Sequence, residues 1–420
     1  MKNIEAYFIK FSSIIYCILP VLLITGPFLP DLSLSLVSIF FLFLMIKKKN
    51  FNIFNNLFFK IFFIFYFYIV LISLFSENVK LSLGTSIFYI RFGIFALAIC
   101  YLLEKNSSLI EKTKIIFLFL YFLLFFDTVY QLIVGKNIVG LKYIDANNFR
   151  LTSFFGKDEV LGSYIARLYP FFLSIIFLDA YKNNRKINKL LILFITIISI
   201  GTVIMSGERT ALVLITISCL LFLLSIISLR KYFVLSLIIS TIFFVLLISF
   251  DQRIKERMIN SVKSQLGANT ERIVVFSKTY ESHYKIAFNM FKEKPFFGHG
   301  VKMFRDYCAK PINFIDENAC TTHPHNVYMQ FLAETGLFGF FLILFIFLIL
   351  SYFLLKNILK VNLKNNQIFS NHKLSLLIFY FITFFPIAPS GNFFGNWLSI
   401  IYYIPTGFLI YILKEKYNEL

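Results

Sequence analysis

The sequence predicts an all-α, polytopic integral membrane protein with about twelve transmembrane helices, and three observations carry that expectation. Of its 420 residues, 58% are hydrophobic and only 15% are charged; a soluble domain averages about 45–50% apolar and about 25% charged. The apolar residues gather in windows of about 17–25, the length a helix needs to cross a hydrocarbon core. The basic residues fall in the gaps between those windows. A mean hydropathy of +0.77 agrees, and 57 phenylalanines are too many to hide in one aqueous core.

The net charge of +19 raises nucleic acid as a partner. Its distribution excludes it, because the cations punctuate the apolar runs instead of forming one face. Positive-inside topology produces that pattern.

Helices are expected near 11–28, 31–46, 57–75, 86–103, 115–134, 161–180, 190–206, 211–229, 232–250, 327–355, 374–389 and 397–413. The N-terminal MKNIEAYFIKFSSIIYCILPVLL has the basic start and apolar run of a signal peptide. No small-residue cleavage site follows, so it reads as a retained first helix. Lys47–Lys49, then Lys105, Lys112 and Lys114, then Lys182, Arg185, Lys186 and Lys189, then Arg230 and Lys231, then Lys356, Lys360, Lys364 and Lys373 mark alternate gaps. With Lys2, Lys10, Lys414 and Lys416, they put both termini in the cytoplasm of a multi-pass protein.

Two longer segments then face outward, one from Gly135 to about Val160, the other from about Asp251 to Asn326. The second has twelve Lys and Arg against eight Asp and Glu, without low complexity. Stretches such as SHYKIAFNMFKEK have helical spacing, with Tyr284, Ala287, Phe288 and Phe291 on one stripe. It reads as a folded cap. Three units follow: 1–250 with helices 1–9, 251–326 as the cap, and 327–420 with helices 10–12. Cys308 and Cys320 both lie in the cap, where an extracytoplasmic compartment permits a disulfide that would stabilise by roughly 3 kcal/mol.

The chemistry-bearing residues concentrate on the outer side. His325 precedes Asn326 and the amphipathic start of helix 10; an imidazole titrates near neutral pH and accepts a proton from a hydroxyl. Its neighbour His323 lacks the third ligand that a metal pair would need. SGERTALVL, Ser206–Leu214, is a short outward turn. There Ser206 and Gly207 are expected to cap the next helix, with Arg209 in its first turn. Free N–H groups and the positive helix end at that point favour an anion, and a guanidinium beside them makes a phosphate site. Arg91 and Arg167 fall inside expected spans and should face the interior or an anion. Arg150, Arg253, Arg257, Arg272 and Arg305 share the outer face. Pro295, Gly298 and Gly300 form a tight turn with close backbone approach and read as structural.

Taken in order, SGERTA (206–211), PFFGHGVKMF (295–304) and HNVYMQFLAETGLFG (325–339) resemble the O-antigen ligase and polymerase superfamily. The resemblance covers roughly 190–345. It implies a GT-C-like fold with a large periplasmic loop in the bacterial inner membrane. It also implies an inverting glycosyltransferase that needs neither metal nor other cofactor. The donor would be an undecaprenyl-diphosphate-linked glycan and the acceptor a lipid A–core or similar glycan. Carried over, Arg209 and, more approximately, Arg272 would bind the diphosphate, and His325 would act as base. Asn326, Glu334, Arg150 and Arg305 are accessory candidates. A ligase is the leading expectation. A polymerase of the same superfamily and a transporter of lipid-linked oligosaccharide are the alternatives.

Overall fold

A computed structural model describes residues 2–143, 149–265 and 276–418. Among these the chain is helical, with one isolated bridge, Lys136 to Lys142, as its only named β pairing. The first half comprises α1 (Lys2–Leu22), α2 (Phe28–Lys48), α3 (Leu57–Leu74), α4 (Val79–Ser86), α5 (Ile90–Lys105), α6 (Ser108–Val134), α7 (Leu161–Lys182) and α8 (Lys189–Ser206). Then come α9 (Arg209–Ser225) and α10 (Arg230–Phe250), and, in the cap, α11 (Gln252–Lys255), α12 (Ser261–Gln265), α13 (Lys278–Glu293) and α14 (Phe304–Cys308). The chain ends with α15 (Val327–Lys364), α16 (Asn371–Thr383) and α17 (Asn396–Asn418).

Local chemistry explains many boundaries. Asn56, Asn78, Asn188, Ser277 and Asn326 each stand before a helix and accept a backbone N–H from its first turn. Gly135 and Gly207 close α6 and α8 in the left-handed conformation. The first helix ends at Leu22, short of the expected Phe28, because Gly26 at φ +116 and Pro27 turn the chain there.

Among the described residues, ten helices are long and apolar enough to cross a membrane. The expected twelve are reached only by adding α9, with 17 residues, and α16, with 13. The expected helix over 374–389 stops at Thr383, and residues 384–395 are irregular. Pro386 and Pro389 lie in that stretch, and proline cannot continue a helix.

The bundle is centred on α7, whose apolar window is 94% buried, against 17% for α10 and α15 at the rim. Helix α7 packs on α16, and α5 on α17. Exposed Phe40, Phe43, Phe63, Phe67 and Phe345 present the apolar surface that lipid requires. Two ion pairs lie within the bundle, Arg91 with Asp31 at 2.7 Å and Lys114 with Asp179 at 2.5 Å. The basic ends of the helices meet one another, with Lys48 on Glu5 at 2.7 Å and Lys414 on Glu104 at 2.8 Å.

The opposite end carries the cap. Its helix α13 buries Ser282, His283, Ile286, Ala287 and Met290. The buried stripe is therefore rotated from the one expected, and Phe288 is exposed. Cys308 and Cys320 are joined by a disulfide, with Cα atoms 5.1 Å apart. The cap is keyed to α15 through a break in that helix at Gly336, φ +63. There the N–H groups of His299 and Gly300 donate to Ala333 O and Glu334 O at 3.1 and 2.9 Å, and Leu337 N donates to Pro295 O at 2.8 Å. A Cβ on Gly298 would stand 2.4 Å from the Glu334 backbone. The Pro-x-x-Gly-x-Gly turn thus plugs the break in α15.

Candidate functional site

At the cap end of the bundle lies a cavity of about 670 Å³. That is within the few-hundred to thousand Å³ range of sites that enclose a small-molecule group. Its walls come from four connections between helices, from helix α7 and from the cap. They include Arg150 and Glu159 before α7, Arg167 on α7, Glu208 and Arg209 at the start of α9, and Arg257, Tyr280, His323 and His325 of the cap. The irregular 389–397 segment forms the remaining wall.

Arg209 opens α9, but the expected caps do not hold. Gly207 ends α8, and Glu208 is the N-cap residue without a side-chain cap bond. The buried Glu208 carboxylate is turned to another helix. It accepts Gly162 N at 2.6 Å, Ser163 N at 3.1 Å and Ser163 Oγ at 2.7 Å. These are free donors in the first turn of α7, so the carboxylate anchors the turn that presents Arg209.

Three arginines crowd one side of the cavity. Burial pushes the Arg257 guanidinium down to about 10, and the charges of Arg150 and Arg209 push it further the same way. Arg257 Nε donates to Gly207 O at 3.3 Å, which fixes it against the same turn. Arg150 carries a partial counter-charge from Glu159 at 3.1 Å. Guanidinium groups gathered in this way repel one another, and an anion between them relieves that repulsion.

His325 occupies another part of the wall. It adopts φ +56, a left-handed conformation that is costly for a side chain with a Cβ. The irregular 384–395 segment holds it there, through Ser390 N donating to His325 O at 2.9 Å. The His325 ring contacts His323 with centroids 4.1 Å apart, stacks on His283 at 5.2 Å, and meets Tyr280 at 5.6 Å. Burial, and then His283, pushes the His325 imidazole down to about 4. Burial, and then His325, pushes His323 down to about 3. Both rings are neutral at pH 7, and a neutral imidazole accepts protons.

The other two imidazoles are committed to the protein. His283 Nε2 lies 2.9 Å from Asn318 O, and His323 Nε2 lies 3.2 Å from Ser390 O. A carbonyl only accepts, so each Nε2 carries the hydrogen. Thr322 Oγ1 lies 2.8 Å from His323 Nδ1 and donates to it.

The structure brings together Arg209, Arg150 and His325, and leaves three accessory candidates outside the cavity wall. Asn326 caps α15, accepting Tyr328 N at 2.9 Å and Met329 N at 3.1 Å, and its amide donates to Pro386 O at 2.7 Å. Glu334 is fully buried, accepting Gln330 Nε2 at 3.0 Å and Phe304 N at 3.3 Å. Its work is to tie the cap to α15. Arg305 is likewise absent from the wall. Arg272 lies outside the described residues.

Sequence reasoning put Arg257 on the outer face without giving it a role, and missed Glu208, His283, Tyr280 and the 389–397 segment. A signal existed for His283. It falls on one helical stripe with Ala287 and Met290, four and seven residues on, which marks the buried face of α13. No such signal existed for residues 389–397, whose role depends on docking against α15.

A family model described as O-antigen ligase matches residues 194–344. The matched region contains Arg209, Arg257, the cap and the start of α15, whereas Arg150, Arg167 and the 389–397 wall lie beyond it. A comparison with curated proteins finds no match.

Proposed function

We propose that this chain, whose residues 194–344 match the family model described as O-antigen ligase, is a member of the O-antigen ligase and polymerase superfamily and joins a glycan carried on undecaprenyl diphosphate to a lipid A–core acceptor. The observation that carries this reading is the meeting of Arg150, Arg209 and Arg257 with the neutral His325 in one cavity. The reaction takes place on the periplasmic face of the bacterial inner membrane, with both termini in the cytoplasm.

Each step balances. The acceptor hydroxyl oxygen attacks the anomeric carbon of the donor sugar. The bond from that carbon to the diphosphate oxygen breaks, and the electron pair leaves with the diphosphate. Attack from the opposite face inverts the anomeric centre. The hydroxyl proton passes to His325. Arginines already oriented around the diphosphate stabilise the charge that develops on it, which is the task a divalent metal performs in other phosphate chemistry. A base of this kind typically contributes about 10²–10⁴-fold. The negative charge of a bound diphosphate also raises the basicity of the nearby imidazole above its value in the empty site.

The test is product size. The purified protein in detergent is given labelled undecaprenyl-diphosphate oligosaccharide, with and without lipid A–core acceptor. A single mobility shift that needs acceptor is the expected result. His325→Ala should lower its rate by about 10²–10⁴-fold. Arg209→Lys, which keeps the charge but loses the bidentate fork, should lower it by about 100-fold. A ladder formed without acceptor would make the protein a polymerase of its own donor. No product from an active donor, with transport across liposomes intact in His325→Ala, would make it a transporter.

A further inference from the structure

Two arginines lie at membrane depth, and they are treated differently. Arg91 has Asp31 at 2.7 Å. Arg167, on the central helix α7, is only 3% exposed and lines the cavity. Its Nη2 donates to Pro389 O at 3.3 Å, and its Nη1 is buried without a hydrogen-bond partner among the described residues. The two carboxylates in the cavity wall are already engaged, Glu208 by the first turn of α7 and Glu159 by Arg150. A buried guanidinium with neither counter-charge nor full hydrogen bonding is costly to the empty fold. An anionic oxygen group placed in the cavity would satisfy it.

The place of Arg167 says which anion. Arg167 is tied to the same turn as the base. Pro389, which accepts from it, is followed by Ser390, whose N–H donates to His325 O at 2.9 Å and whose carbonyl accepts from His323 at 3.2 Å. One short turn therefore positions both Arg167 and His325. The attacking hydroxyl must come to His325, so the group that meets Arg167 travels on the same molecule.

We infer that Arg167 is an acceptor-binding residue: it takes a carboxylate or phosphate on the acceptor glycan and so sets which hydroxyl reaches His325. The inference rests on the glycosyl-transfer reading above. It makes the protein selective for acidic acceptors, a property that the donor-side arginines cannot supply.

The experiment uses the full chain in detergent, the labelled lipid-diphosphate donor, and three forms of lipid A–core acceptor: untreated, phosphatase-treated, and carboxyl-reduced. A charge-assisted contact of this kind corresponds to about 10- to 100-fold in affinity. One of the two treatments should therefore raise the wild-type acceptor KM by about that factor, and it names the group. In Arg167→Gln the KM for untreated acceptor should rise to the treated value and show no further rise on treatment, with kcat at saturating acceptor changed far less. Arg167→Lys should restore part of the discrimination, because the charge returns without the fork. The inference is overturned if neither treatment changes the wild-type KM. It is also overturned if Arg167→Gln lowers transfer by the same factor to treated and untreated acceptors, which would make Arg167 structural or part of the donor site. Absence of any transfer by the wild type is a different failure, because it removes the glycosyl-transfer reading itself.

Discussion

His325 joins two properties that oppose each other in water. It must be unprotonated to accept a proton, yet basic enough to hold one. Burial and His283 meet the first demand by keeping the ring neutral down to about pH 4. His323 and His325 have folded pKa values below the ordinary 6.5, so the unfolded chain binds protons that the folded chain does not. Their stabilising effect is complete above pH 6.5 and is lost as pH falls from 6.5 through about 4. Thermal melts in detergent should be flat between pH 7 and 8 and drop below pH 6, and His323→Ala should flatten that drop. The profile of kcat/KM should lack a limb near 6.5 and fall only towards pH 4; a limb at 6.5 would show a solvated His325.

At the scale of elements, the site depends on backbone that is not helical. Helix α15 breaks at Gly336, the cap turn at Gly298 fills the break, and residues 384–395 fold back under the start of α15. Gln330 fastens this last segment, donating to Asn392 Oδ1 at 2.8 Å and accepting Phe393 N at 2.9 Å. Irregular backbone at membrane depth is tolerated where it lines a cavity and its polar groups are met by protein. Glycine at 298 is required twice, for φ +69 and for the 2.4 Å approach to Glu334. Gly298→Ala should therefore destabilise by more than about 1 kcal/mol, read as a drop in melting temperature. Gly84→Ala is the control, since a Cβ there meets nothing within 4 Å inside helix α4; it should be neutral or raise stability by up to about 1 kcal/mol. Equal effects from the two would remove the plug as a packing element.

Over the whole molecule, the two ends of the bundle are chemically distinct. One gathers the basic loops around Glu5 and Glu104, and the other holds the cavity and the disulfide-bearing cap. The orientation proposed above puts the basic end inside, by the positive-inside rule. A fluorescent protein fused after Leu420 should then mature, and alkaline phosphatase inserted in the cap loop at Asn313 should be active. The reverse pattern would invert the topology and move the site to the cytoplasm. The cavity wall is also a whole-molecule property, because α7, α9, the cap and the 389–397 segment reach it from distant parts of the chain.

The membrane class and most helices were legible directly, because hydropathy and lysine placement are additive along the chain and need no partner to be read. That Arg209 and His325 are unusual was legible too, since a cation at a helix start and an imidazole at the foot of a span are anomalous against their local background, and both line the cavity. The end of α16 was legible only in part, since its prolines mark a break but not where the following residues go. Other features had to wait for tertiary structure because they are relations between distant residues. Glu208 serves α7, 46 positions earlier, in its contact with Gly162. Arg91 and Arg167 look alike in sequence, yet among the described residues only Arg91 finds a carboxylate, on another helix. Asn326 and Glu334 stand in the same signature as His325, but helix direction turns them into a cap and a buried tie. Side-chain pairing is decided by which surfaces meet, and a linear pattern does not contain that information.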